Sequence, residues 1–122
     1  MPSPQDYEEA KKCAKAFYEE IGIVKTSALG GAKVVFTSAG FNHLLRRGRK
    51  FRPKSEQMKR LSLLRYARAI LTDPGASVRH RKLRKQALVQ YWSFTKHFDG
   101  QRVKLIVRQI GAGQKHFYSI MS

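Results

Sequence analysis

At 122 residues the chain is long enough for one domain with its own core, and its 42% hydrophobic residues and thirteen aromatics exclude a disordered polar tail. The 25 Lys and Arg against 8 Asp and Glu leave a formal net charge of +17, a self-repulsion that points to a polyanionic partner, nucleic acid foremost. No apolar run approaches the roughly 18 residues of a membrane span, no basic-then-apolar leader opens the chain, and the single cysteine, Cys13, has no second cysteine for a disulfide or zinc site, so a reducing, cytoplasmic setting is expected.

Charge is uneven along the chain. Five of the eight acids (Asp6, Glu8, Glu9, Glu19, Glu20) lie in the first twenty residues, and the remainder carries 22 basic residues against three acids. Residues 5–21 read as an amphipathic helix with Asp6, Glu8 and Glu9 in its first turn, where the helix dipole favours carboxylates, and with Gly22 as its stop. Residues 1–22 are thus an acidic cover on a basic body, and Cys13, among Ala10, Ala14 and Phe17, reads as a core or boundary residue.

Residues 26–31 form a small-residue loop, and 33–37 (K-V-V-F-T) a short β-branched strand. Ser38 is expected to cap a short helix reaching about Arg47, which would hold His43 and Arg46 about one turn apart. A basic loop at 48–54 leads into a longer helix over 55–71, with Leu61, Leu64, Ala67, Ile70 and Leu71 on one face. Thr72-Asp73-Pro74-Gly75 ends it. Three β-rich runs follow at 86–98, 101–110 and 114–121, separated by Asp99-Gly100 and Gly111-Ala112-Gly113, so the C-terminal third predicts an antiparallel meander. Helices first and hairpins second give an α+β fold, N-terminal helices packed on a four-stranded antiparallel sheet if 33–37 joins it, in a single domain over 1–122.

Alternation in the middle run puts Val103, Leu105 and Val107 on one face and Arg102, Lys104, Ile106 and Arg108 on the other. One face packs on helices and the other is cationic. In the last run His116, Tyr118 and Ile120 alternate with Lys115, Phe117 and Ser119, and the sequence leaves open which set joins the cations. The densest charge, Arg46-Arg47-x-Arg49-Lys50-x-Arg52-x-Lys54 and Arg79-His80-Arg81-Lys82-x-Arg84-Lys85, suits phosphate contact, as do Lys104 and Lys115. Trp92, Tyr91, Phe94, Phe117 and Tyr118 are interleaved with the meander, where an exposed ring could stack on a base and a buried one would be core.

Cleaving RNA without metal needs a base for the 2′-hydroxyl, an acid for the leaving oxygen and fixed cations for the phosphorane, and histidine suits either proton task. His43 and His116 stand beside cations and hydroxyls; His97, at a hairpin turn, and His80, inside a charge run, are less suited. No His, Cys or Asp cluster has metal-ligand spacing and no nucleotide or nucleophile-elbow motif occurs, so neither metal nor cofactor is expected.

The order V-V-F-T-S, then G-F-N-H-L-L-R, then a helix ending I-L-T-D-P, then V-K-L-I-V-R-Q-I-G-A-G-Q-K-H-F-Y-S-I resembles the barnase, EndoU, colicin and RelE superfamily of small nucleases, above all its phage-encoded and contact-dependent-inhibition toxin branches. The likeness covers 33–122 and leaves the N-terminal helix outside. It implies a ribonuclease with its active site on the open sheet face, with His43 as base or acid, Arg46 and Arg108 as phosphate clamps, His116 as the second proton-transfer group, and Ser119 or Tyr118 as a positioning hydroxyl. A bacterial toxin-type endoribonuclease leaving a 2′,3′-cyclic phosphate follows, with transfer RNA a candidate substrate and an acidic immunity or antitoxin protein a candidate partner. A non-catalytic basic RNA- or DNA-binding module is the alternative.

Counterion release scales with the phosphates neutralised, so affinity for RNA should fall steeply between low and physiological salt. A flat response in a filter-binding titration would remove nucleic acid as the partner.

Overall fold

The computed structural model describes residues 4–84 and 86–122. In chain order these form α1 (Pro4–Ile21), β1 (Ile23–Thr26), a 3₁₀ turn (Ser27–Leu29), β2 (Ala32–Val35), α2 (Ser38–Leu45), the two-residue strands β3 (Arg46–Arg47) and β4 (Lys50–Phe51), α3 (Lys54–Leu63), a 3₁₀ turn (Leu64–Tyr66), α4 (Ala67–Thr72), β5 (Ser77–Arg84), β6 (Leu88–Phe98), β7 (Gln101–Ile110) and β8 (Lys115–Met121). The class is α+β, with a mostly antiparallel sheet that includes the expected β6-β7-β8 meander.

The main sheet has six strands, not four, in the order β1-β2-β8-β7-β6-β5. β1 escaped the sequence reading because it is four residues long and follows directly on Gly22, whose positive φ of 59° turns the chain out of α1. β5 escaped because Arg79, His80, Arg81 and Lys82 hide its alternation; only Val78 and Leu83 interrupt the polar run. It lies at the edge of the sheet, where charged side chains discourage pairing with another chain. The strand expected at 33–37 is Ala32–Val35, and it joins β8 in parallel rather than antiparallel, through Val34↔Lys115 and Val35↔His116.

Other boundaries moved for local reasons. Thr37, not Ser38, caps α2: its Oγ1 accepts from Gly40 N at 3.2 Å. The helix stops at Leu45, and Arg46 is extended (φ −125°, ψ 147°), opening a tight hairpin with β4 across the expected basic loop. The long helix starts at Lys54 behind Pro53 and is interrupted by the 3₁₀ turn at Leu64–Tyr66, yet its predicted apolar face, Leu61, Leu64, Ala67, Ile70 and Leu71, is buried. Cys13 is exposed, contrary to expectation, because the buried stripe of α1 runs through Tyr7, Tyr18 and Ile21 and leaves Cys13 and Phe17 rotated outward.

One sheet face meets the helices. Phe94, Val103, Leu105, Val107, Phe117 and Ile120 are fully buried there against Leu44, Leu64, Ile70, Leu71 and Tyr18. α1 is part of this core: Tyr18 packs edge-on to Phe36, Phe41 and Phe117, and its hydroxyl donates to Thr37 O at 2.7 Å. Further along α1, the Tyr7 hydroxyl donates to Gln57 Oε1 on α3.

α2 takes the place beside β8 that β2 vacates after two paired residues. Its approach is set by Gly40, where a Cβ would fall 2.5 Å from Phe117 O and 2.7 Å from Tyr18 Oη. Gly40→Ala should therefore cost about 1–3 kcal/mol of folding stability, read as a shift in urea midpoint at unchanged m-value. An unaltered midpoint would show that α2 is not seated this way.

Candidate active site

The strand-face question in β8 is answered by a bulge. Ile106 pairs with Ser119, but Val107 pairs with Phe117 and Arg108 with His116, so Tyr118 is the extra residue. The bulge lets Phe117 and Ile120 both enter the core, while His116 and Tyr118 join Arg108 on the open face.

On that face Tyr118 lies between three partners. The His43 ring is 4.3 Å from it, the Arg108 guanidinium sits 4.6 Å over it, and Tyr91, directly across from Arg108 on β6, meets it edge-on at 5.5 Å. Arg108 Nε donates to His116 Nε2 at 2.9 Å. Because that nitrogen accepts, the ring proton of neutral His116 belongs on Nδ1, which faces Gln114 O at 3.4 Å. Ala39 and Gly40 of α2 close the other side of a cleft of about 150 Å³ that His43, Arg108, His116 and Tyr118 line. A larger hollow along α1, lined by Glu8, Glu9, Lys11, Lys12 and Lys15, holds no histidine.

Both imidazoles are biased towards the neutral form. Burial holds His43 below its ordinary pKa of 6.5, and the positive charges of Arg52, Arg60 and Arg108 push the same way. Burial also lowers His116, with Arg108 adding to it and the hydrogen bond to Gln114 opposing. His43 Nδ1 is buried and, among the described residues, finds no hydrogen-bond partner, a cost that structural histidines normally avoid.

Not every residue expected at the site is there. Arg46, having left the helix, stacks its guanidinium 4.1 Å over Phe51 in the hairpin, away from the cleft. Ser119 is buried and accepts from Arg60 Nη1 at 2.8 Å, so its hydroxyl faces an internal cation rather than the cleft. Arg52 is buried too, donating from Nε to His43 O and pairing with Glu56 at 3.2 Å; it braces the end of α2 instead of offering a free charge. Arg60, which sequence reasoning passed over, is the larger omission. It pairs with Glu56, holds Ser119 and Ile120 O, and lends its charge to His43; only the Glu56-to-Arg60 spacing of four hinted at its engagement.

The remaining cations divide by position. Arg47, Arg49 and Lys50 are exposed on the hairpin. By register Arg79 and Arg81 share the open face with Arg108 and Lys104, whereas Lys82 and Arg84 point to the helix side beyond the core. Lys115 also lies on that side, its ammonium 5.0 Å over Trp92, on which the His80 ring stacks at 4.9 Å. Trp92 is thereby covered and unavailable as a base platform. Lys85 lies outside the described residues. Among the described residues no three His, Cys, Asp or Glu side chains come together as a metal site, and no helix is long and apolar enough to cross a membrane.

No protein-family model matches the sequence, no curated protein is similar to it, and no solved structure matches the fold.

Because a depressed histidine pKa means the unfolded chain binds more protons, stability contributed by neutral His43 and His116 is present above about pH 6.5. It is lost as pH falls towards their folded pKa values. Proton-detected titration should give both rings midpoints below 6.5, rising in Arg108→Ala as a neighbouring cation is removed. Midpoints at or above 6.5 in the wild type would contradict the packing described.

Proposed function

We propose that the chain is a toxin-type endoribonuclease that cleaves RNA without metal, leaving a 2′,3′-cyclic phosphate. The observation that carries this reading is the convergence of His43, His116 and Arg108 around Tyr118, on a sheet face whose strands β5 to β8 contain no Asp or Glu. The resemblance of 33–122 to the barnase, EndoU, colicin and RelE nucleases agrees with it.

The chemistry assigns roles. His43, kept neutral by burial and three arginines, suits the base that takes the 2′-hydroxyl proton. The 2′-oxygen then bonds to phosphorus as the bond from phosphorus to the 5′-oxygen breaks, and that leaving oxygen takes a proton from His116. His116 is neutral in the free protein, but a phosphate beside it adds negative charge and competes for Arg108, both of which favour the protonated ring. Arg108 is held over the Tyr118 ring, and once His116 is protonated the Arg108 Nε, released from the imidazole, joins the Nη donors in facing the added charge of the phosphorane. Tyr118 positions both the imidazole and the guanidinium by contact. Transfer RNA is a natural substrate to try first, and a protein that restrains such an enzyme would be acidic and cover the same face.

With total RNA in EDTA, the wild type should give discrete fragments. His43→Ala or His116→Ala should slow cleavage by about 10² to 10⁴ with little change in RNA affinity, while Arg108→Ala lowers both. Folding is checked by circular dichroism. Wild-type rates in both histidine variants would overturn the site assignment, and a wild type that binds RNA but never cleaves it would make the chain a binding module.

A further inference from the structure

Beyond the first cleft, the open face holds a second one. It is about 330 Å³ in volume and lies over the β5-β6-β7 end of the sheet, lined by Ser77, Arg79, Ser93, Thr95, His97, Arg102 and Lys104. We propose that this groove binds the sugar-phosphate backbone of the same RNA strand several nucleotides from the scissile bond, so that an oligonucleotide, not a dinucleotide, is the substrate. The inference rests on the ribonuclease reading for the word substrate, and on the groove alone for the binding.

Three features carry it. Rows of paired residues connect the two clefts: Tyr91 faces Arg108, Ser93 faces Ile106, Thr95 faces Lys104 and His97 faces Arg102. Arg108 and Lys104 are four residues apart on one face of β7, which separates them by about 13 Å. Second, the groove offers three cations, three hydroxyls and an imidazole, and its strands contain no carboxylate. Among the described residues, no hydrogen bond or ion pair engages the side chains of Arg79, Ser93, Thr95, Arg102 or Lys104. Three uncompensated cations at close quarters repel one another, and an anion placed among them removes that repulsion. Third, no Phe, Tyr, Trp or aliphatic residue lines the groove, unlike the cleft around Tyr118. It lacks the apolar centre of a protein interface and the broad face of a Phe, Tyr or Trp on which to stack a base. What it can grip is phosphate and ribose, which fixes register without reading sequence.

A dinucleoside monophosphate has a single phosphate and cannot fill both sites, whereas a hexanucleotide can. The experiment measures the dissociation constants of non-cleavable 2′-O-methyl hexanucleotides and dinucleotides by fluorescence anisotropy, for wild type and for Arg79→Ala/Arg102→Ala. In the double variant the preference for the hexanucleotide should fall about tenfold and the salt slope of its binding should flatten by about 1, whatever its base sequence. Lys25→Ala/Lys33→Ala removes the same charge from exposed, directly opposed residues of β1 and β2 and should shift that preference less than about twofold. An unchanged preference in the groove variant, an equal loss in the Lys25/Lys33 control, or a loss confined to one base sequence would overturn the proposal. Cleavage of an unmodified hexanucleotide is scored separately: if the wild type never cleaves it while the groove variant still loses the preference, the groove stands and the ribonuclease reading falls.

Discussion

Gly40 lets the backbone of α2 lie against that of β8, and the position of His43 depends on that contact. A side chain at residue 40 would strike Phe117 O and the Tyr18 hydroxyl, so the helix would have to withdraw from the strand. The same few residues fix the helix start, since Thr37 caps it through Gly40 N while its carbonyl receives the Tyr18 hydroxyl from α1. One turn further on, His43 meets Tyr118 at the bulge, and through Tyr118 it is linked to Arg108 and His116. The acidic N-terminal helix thus acts on the site indirectly, by holding the start of α2 in place.

A second constraint is the segregation of charge. The acids after residue 20 are Glu56, Asp73 and Asp99; Glu56 is committed to Arg52 and Arg60, and Asp73 to Lys96 at 2.6 Å and to Gly75 N. The open face of the sheet is left with cations, hydroxyls, rings and a few aliphatic residues such as Ile106, and with no carboxylate on strands β5 to β8. Such a surface is unfavourable by itself and becomes favourable beside a polyanion, where the condensed ions around phosphate are released. Desolvation of His43 and His116 on that surface favours the neutral form of both rings, so the positive charge there is carried by arginine and lysine.

Much of this architecture could be read from the sequence. The alternation of Val103, Leu105 and Val107 placed the cationic face correctly, Asp99-Gly100 marked a real hairpin with φ of 50° and 77°, and the Leu61-to-Leu71 stripe is core. What stayed hidden depended on contacts far apart in the chain. Nothing local in Arg46-Arg47-Gly48 announces that the helix ends at Leu45, because pairing with Lys50–Phe51 overrides good helix formers. Alternation alone could not place His116, since the residue that breaks it, Tyr118, is bulged only by virtue of its pairing with β7. Arg60 reaches Ser119 across 59 residues of sequence, and β5 reads as a charge run until its partner on β6 is known.

The ribonuclease we propose would use the 2′-hydroxyl of its substrate as the nucleophile and act without metal. The most direct measurement offers the purified protein, in EDTA, a single-stranded RNA and a DNA of the same sequence, and follows both strand length and end groups by mass spectrometry. RNA cut to fragments ending in 2′,3′-cyclic phosphate, beside DNA that is bound but intact, is the expected result. Cleavage of the DNA, or RNA fragments carrying 5′-phosphates, would contradict it.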